Sequence, residues 1–291
     1  MVLAWYVLAL ICAFLSSIST LINKKVLIKE HAMEFAAVFA VFNLIISFSI
    51  IKYVQFSIPT NLLFLIFISA FVGTFATLYL LKAMRHMEIS SAIPLTNLSP
   101  AVLAVLSFFI LKEAISIKQV GAMCLIIIGA YILEVDHKIS NLKEPLIKIW
   151  RSKYIHYIFL SVLLYSIASI IERYVLTHGI SPYTYIFVVQ IFITINFFFL
   201  ISAFHDGLQG VKRGLKKNWK WILLLSIITL VDRISLFNAF ALAFVPLVIS
   251  IKRLNTLFVT IIGGELFHEK RLALKISACI ITLAGAILII T

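Results

Sequence analysis

The chain has 291 residues, 63% of them hydrophobic and only 13% charged, with a mean hydropathy of +1.11. A soluble globular domain carries about a quarter charged residues, so this composition excludes one and points to a polytopic membrane protein. The formal charge of +13 does not indicate nucleic-acid binding, because the basic residues sit in short connections between apolar runs rather than along one face.

In chain order, runs long enough for a spanning helix of about 20 residues occur at Val2–Ile22, Glu34–Ile51, Asn61–Leu81, Glu88–Leu111 and Ile115–Leu133. After a basic connection they resume at Tyr154–Val175, Pro182–Phe204, Trp219–Phe244, Pro246–Phe267 and Leu272–Ile290. The runs are unbroken and lack strict alternation, which favours helices over barrel strands. Trp5, Tyr53, Trp150, Tyr154, Tyr183, Trp219 and Trp221 stand at run ends, where interfacial aromatics belong. The first run has no basic segment before it, so it is expected to be retained rather than cleaved as a signal peptide. Cys12, Cys124 and Cys279 lie within apolar runs without ligand spacing and read as packing residues.

The two groups of five runs resemble one another. "FFILKEAISIKQVGAMCLIIIGAYIL" (108–133) lies without a gap over "GELFHEKRLALKISACIITLAGAILI" (264–289), pairing Glu113 with Glu269 and Gly129 with Gly285. The same register pairs Ala83 with Ala239 and Leu98 with Leu254. In a register shifted by seven residues, "SISTLINKKVL" (17–27) lies over "SIASIIERYVL" (166–176), pairing Lys24 with Arg173. The expected architecture is therefore an all-α integral membrane protein of ten transmembrane helices in one domain, 1–291. Repeat one is 1–133, a connecting loop covers 134–153, and repeat two is 154–291. Five is odd, so the second copy starts on the other side of the membrane and the repeats are inverted, an arrangement of carriers that alternate access around a midplane site.

Ten helices in a five-plus-five repeat, each half closing on a "KE" or "HE" loop and then a helix with Gly-Ala ("IIIGAYIL", "TLAGAILII"), resemble the drug/metabolite transporter superfamily, and within it the EamA-like permeases. The resemblance implies a secondary transporter of small organic molecules in the cell membrane, with no cofactor. Superfamily substrates range from amino acids and amphipathic drugs to sugar phosphates and nucleotide sugars.

Charged residues inside the runs carry the evidence on mechanism. Asp232 and Arg233 fall in the eighth run, Lys252 and Arg253 in the ninth. A charge at the bilayer centre costs about 3 kcal/mol, so these groups are expected to face a cavity or a partner. One alternative pairs Asp232 with Lys252 or Arg253 as structural glue. Three cations against one anion leave two positive charges over, which favours an anionic ligand, and the fork of an Arg beside a Lys suits carboxylate or phosphate. Thr256 and Thr260 share a helical face with Arg253, and Ser235, Asn238 and Asn97 are further candidates for substrate binding. The Lys252–Arg253 pair is similar to one in plastid sugar-phosphate/phosphate translocators. Those also place a Lys before a Glu-Pro pair where this chain, aligned on Pro100, has Thr96 and Asn97, so the implied cargo is anionic or zwitterionic rather than specifically phosphate.

Polar stripes at Ser16, Thr20 and Asn23, and at Ser166, Ser169 and Arg173, read as helix–helix hydrogen-bonding faces. Pro94, Pro100 and Pro246 are candidate breaks, Glu172 and Asp232 candidate proton carriers, and Glu265 and Glu269 a solvated interfacial cluster. No nucleotide-binding loop, catalytic constellation or metal set is present, which argues against a pump or an enzyme. An exporter of amino acids or drugs, with the Lys-Arg pair purely structural, and an intramembrane enzyme are the alternatives. Expected partners are the small-molecule substrate and the lipid bilayer, with no nucleic acid, as a monomer or homodimer. The fifth and tenth helices are expected away from the cavity as a packing or dimer face. Basic residues concentrate in the connections of one side, so the positive-inside rule puts both termini outside, whereas the resemblance implies both in the cytoplasm.

Overall fold

In a computed structural model, residues 5–111, 117–134, 151–204, 207–243 and 245–288 are described. They form an all-helical bundle, and no strand occurs among them. The helices are α1 (Trp5–Leu27), α2 (Ala32–Ser47, continued by a 3-10 turn to Tyr53), α3 (Thr60–His86), α4 (Ile89–Leu95), α5 (Ser99–Leu111) and α6 (Ile117–Glu134). They continue with α7 (Lys153–Thr177), α8 (Pro182–Phe204), α9 (Gly207–Leu242), α10 (Val245–Lys252), α11 (Asn255–Phe258), α12 (Gly264–Leu266) and α13 (Leu272–Leu288).

Among the described residues, six helices are long and apolar enough to cross a membrane: Trp5–Leu27, Ala32–Tyr53, Thr60–His86, Lys153–Thr177, Pro182–Phe204 and Asn218–Leu242. The remaining apolar runs give shorter helices at Ile89–Leu103, Val120–Gly129 and Leu272–Gly285. Two interruptions account for part of this. Pro94 cannot donate its backbone nitrogen to the helix ladder, and a 3-10 turn at Thr96–Leu98 follows it. The second break falls at Arg253–Leu254 and not at the expected Pro246, which lies in the first turn of α10 where proline is tolerated. A π-helical turn at Val259–Gly263 follows. In the repeat register, Leu98 and Leu254 are equivalent, so both breaks fall at the same place in their halves.

Packing follows the same correspondence. α1 packs along α9 as α7 packs along α3, while α2 meets α8 and α6 meets α13. The α6–α13 contact is reciprocal: a Cβ on Gly129 would lie 2.5 Å from Thr282 Cγ2 and 3.0 Å from the Ala278 carbonyl oxygen. A Cβ on Gly285 would lie 2.7 Å from Ile126 Cγ1 and 2.8 Å from the Ala122 carbonyl oxygen. Glycine allows this approach, and it is used within one chain, so these two glycines are not available as the dimer face considered above.

The bundle has two ends. At one, Asn218 breaks the helical backbone of α9 and donates to Glu30 at 2.8 Å, and His86 stacks on Tyr154 with ring centroids 4.5 Å apart. At the other, the Gln55 amide donates to Thr184 at 2.9 Å and Tyr53 meets Tyr183. Lys24 is not a solvated flanking charge. It is buried, and its ammonium donates to the Met84 and Met87 carbonyls at 2.7 and 2.6 Å, the last open acceptors of α3. Its repeat partner Arg173 donates to the Phe240 and Ala243 carbonyls, the equivalent positions at the end of α9. The Glu113 partner of Glu269 and the residues 135–150 of the connection lie outside the described residues.

Candidate functional site

A cavity of about 320 Å³ lies inside the bundle, walled mainly by α1, α3, α7, α9, the interrupted α4–α5 and α10. Among the described residues, none of the lining comes from α6 or α13. Its charged lining among the described residues is Glu172, Asp232, Arg233, Lys252 and Arg253.

Consecutive residues on α9 place Asp232 and Arg233 one helical step apart, and Leu236 and Phe237 continue their face along the cavity. The Asp232 carboxylate lies 3.5 Å from Lys252 Nζ through Oδ2 and accepts the Cys12 thiol at 2.8 Å through Oδ1. Cys12 is thus a buried partner of the site as well as a packing residue. Arg233 donates to the Gln190 side-chain oxygen, and Gln190 in turn donates to the Ala40 carbonyl at 3.1 Å.

Arg253 is held differently. It sits where α10 ends, and its guanidinium donates to two hydroxyls of the other interrupted helix: Nε to Ser99 at 2.9 Å and Nη1 to Thr96 at 3.0 Å. No carboxylate pairs with it among the described residues. Each broken helix therefore supports the other's break. Asn97 donates across to Thr256 and Thr282 at 3.2 and 2.7 Å, tying the 3-10 turn to α11 and α13.

Lys252, Arg253, Asp232 and Arg233 line the cavity, whereas Thr256, Asn97, Ser235 and Asn238 do not. Thr256 is fully buried, donating to the Arg253 carbonyl at 2.7 Å with Cys279 Sγ at 3.3 Å. The break at 253–254 changes the helical register that had put Thr256 beside Arg253. Asn97 is fully buried in its two bonds to α11 and α13. Ser235 and Asn238 are turned off the Asp232 face by the helical period and return their donors to the Val231 and Ile234 carbonyls.

Three groups of cavity residues were not assigned to the site from sequence. Glu172 on α7 lines it, so three cations face two carboxylates and the formal surplus is one positive charge, not two. Ser16, Thr20 and Asn23 of α1 and Ser166 and Ser169 of α7 face the same space, with Ser16 also accepting from Asn255 on α11, while Arg173 of that stripe caps α9. Thr77 and Tyr165 add a hydroxyl pair at 2.7 Å.

Glu269, expected in a solvated cluster, is buried at the Lys24 end. Its oxygens accept the amides of Ile89 and Ser90 at 2.6 and 2.9 Å and the Ser90 hydroxyl, and Lys275 stands 3.5 Å away. Lys275 also pairs with Glu88. No cluster of metal-binding side chains occurs among the described residues.

Fold and cavity together define a multi-pass helical membrane protein that encloses a polar chamber. Residues 3–135, under half of the chain, match the EamA-like transporter family, which suggests a membrane transporter. No curated protein matches the chain. A solved crystal structure superposes on it with a TM-score of 0.63 at 12% sequence identity, over 98% of this chain and 95% of its own, which shows a shared fold alone.

Proposed function

We propose that the chain is a secondary transporter of a small organic anion or zwitterion, working by alternating access across the cell membrane. It is built as ten spans in two inverted five-helix repeats, 1–133 and 154–291. The observation that carries this is the meeting of the two interrupted helices at the cavity, where Arg253 reaches Ser99 and Thr96 across the pseudo-symmetric break. Breaks at corresponding positions of two halves are where carriers build ion and substrate sites, because unwound backbone is tolerated only where it lines a cavity. The surplus positive charge gives the substrate's sign. Lys252 is already engaged with Asp232 and Arg233 with Gln190, which leaves Arg253 as the cation that gains most from an anion.

A bound substrate raises thermal stability by mass action, so purified protein is screened by thermal shift against anionic, zwitterionic and cationic metabolites. Anions or zwitterions are expected to raise the melting temperature of the wild type and to lose that effect in Arg253→Gln, with counterflow of intact compound in proteoliposomes. Stabilisation only by hydrophobic cations, equal in wild type and in the Lys252→Gln/Arg253→Gln variant, makes the pair structural and the protein an exporter of another cargo class.

A further inference from the structure

The chamber is chemically divided along its length. All five charged residues lie on α7, α9 and the α10 break, and none lies on α1. The α1 wall beyond Ser16 is neutral: Ser19, Thr20 and Asn23. Ser16 itself accepts from Asn255 at 3.1 Å, which places it beside the helix break that carries Arg253. From there to Asn23 the helix rises about 10 Å, toward the end of the bundle where Lys24 binds the α3 carbonyls. Ser161, near the start of α7, is also at that end.

Three buried polar atoms in this neutral half, Ser19 Oγ, Asn23 Oδ1 and Ser161 Oγ, have no hydrogen-bond partner among the described residues. A serine on a helix ordinarily returns its hydroxyl to the carbonyl four residues back, as Ser17, Thr20 and Ser166 do here at 2.7, 2.7 and 2.8 Å. Buried polar atoms left without a partner are costly, and these line a chamber large enough to bring partners to them. Lys24, the nearest cation in sequence, is spent on two carbonyls.

We propose that this half of the chamber is a distinct subsite for the uncharged, hydroxyl-bearing part of the cargo, and that the cargo is a polyhydroxylated organic monoanion. Its single charge sits at Arg253 and its hydroxylated chain runs along α1 toward Asn23. Hydroxyls both donate and accept, which matches a wall that offers two serine oxygens and an amide oxygen. One net negative charge matches the one surplus cation. A purely apolar tail would leave all three atoms without partners, and a second charge would find none to meet it on α1.

This rests on the anion-transport reading, and the test separates the two. The full-length protein is titrated by thermal shift with gluconate, with hexanoate as the same chain length and charge without hydroxyls, and with glucose as hydroxyls without charge. Gluconate is expected to bind at least tenfold more tightly than hexanoate and glucose. Asn23→Leu and Ser161→Ala are expected to erase the gluconate preference while leaving hexanoate unchanged, and Arg253→Gln to weaken both acids. Equal binding of gluconate and hexanoate, or a preference that survives Asn23→Leu and Ser161→Ala together, overturns the subsite and leaves the anion site standing. Failure of both acids, with cations binding instead, overturns the parent reading as well. Melting of each variant without ligand, at the wild-type temperature, separates lost binding from lost folding.

Discussion

The Lys24 end and the Arg173 end of the bundle share one backbone device and differ in what surrounds it. At each, a basic side chain from the first helix of a repeat closes the carbonyls at the end of the third, at Met84 and Met87 or at Phe240 and Ala243. Around Lys24 stands an ionic set, with Glu269 on the first amides of α4 and Lys275 between Glu269 and Glu88. In the repeat register, Glu88, Ser90 and Lys275 correspond to Phe244, Pro246 and Gln119, so the sequence supplies no equivalent ion pairs at the other end. Among the described residues, the Lys24 end carries this ionic set, while the Gln55–Thr184 hydrogen bond and the Tyr53–Tyr183 contact lie at the other end. If the chain works by the alternating access proposed above, ends held differently need not open at equal cost.

The largest expected effect comes from breaking the ionic end. Glu269→Ala removes the acceptor of two helix amides and leaves Lys275, whose side chain is 6% exposed, without one of its two carboxylates. Breaking a buried pair costs about 3 to 5 kcal/mol, and Glu88, 48% exposed, offsets only part of that. The melting temperature should fall clearly and protease access at the Lys24 end should rise. An unchanged melt means that end is not held by its charges. Next in size, Gly129→Ala and Gly285→Ala force a Cβ to within 3.0 Å of backbone on the facing helix in both cases. Overpacking of that kind costs about 1 to 3 kcal/mol. Equal penalties in thermal melts sharpen the symmetry of the shared frame, and a penalty at one glycine only breaks it.

The helical frame was legible because hydropathy and length alone set where a chain can cross a bilayer. The α4 break announced itself through Pro94, whereas the α10 break carries no proline or glycine at Arg253–Leu254, where the Arg253 side chain is tied across to Thr96 and Ser99. That break misdirected Thr256, since helical spacing was carried through a point where the helix stops. The stripes on α1 and α7 serve both as helix contacts, through Ser16 and Arg173, and as chamber wall, which spacing does not separate. A serine that bonds its own helix and one that faces a chamber have the same sequence, and only packing tells Ser17 from Ser19. Glu172, a candidate proton carrier from sequence, also lines the chamber, which its place next to Arg173 of the stripe does not reveal.

The smallest effect concerns which compartment each end faces, and it leaves stability untouched. The exposed Lys29, Lys212, Lys220, Lys270 and Arg271 belong to the Lys24 end, while Lys52 and Lys118 belong to the other. Basic residues in short connections stay on the cytoplasmic side, and an anionic leaflet attracts each by about 1 kcal/mol. By this argument the Lys24 end is expected on the cytoplasmic side. Lys270→Cys and Lys52→Cys replace exposed side chains that make no ion pair among the described residues, so neither should shift the melt. Cys12 and Cys279 are buried, and Cys124→Ser removes the exposed thiol, which gives a quiet background. In intact cells a membrane-impermeant maleimide should label Lys52→Cys and spare Lys270→Cys until the membrane is opened. The reverse pattern places the Lys24 end outside, where an anionic cytoplasmic leaflet no longer explains its surrounding lysines.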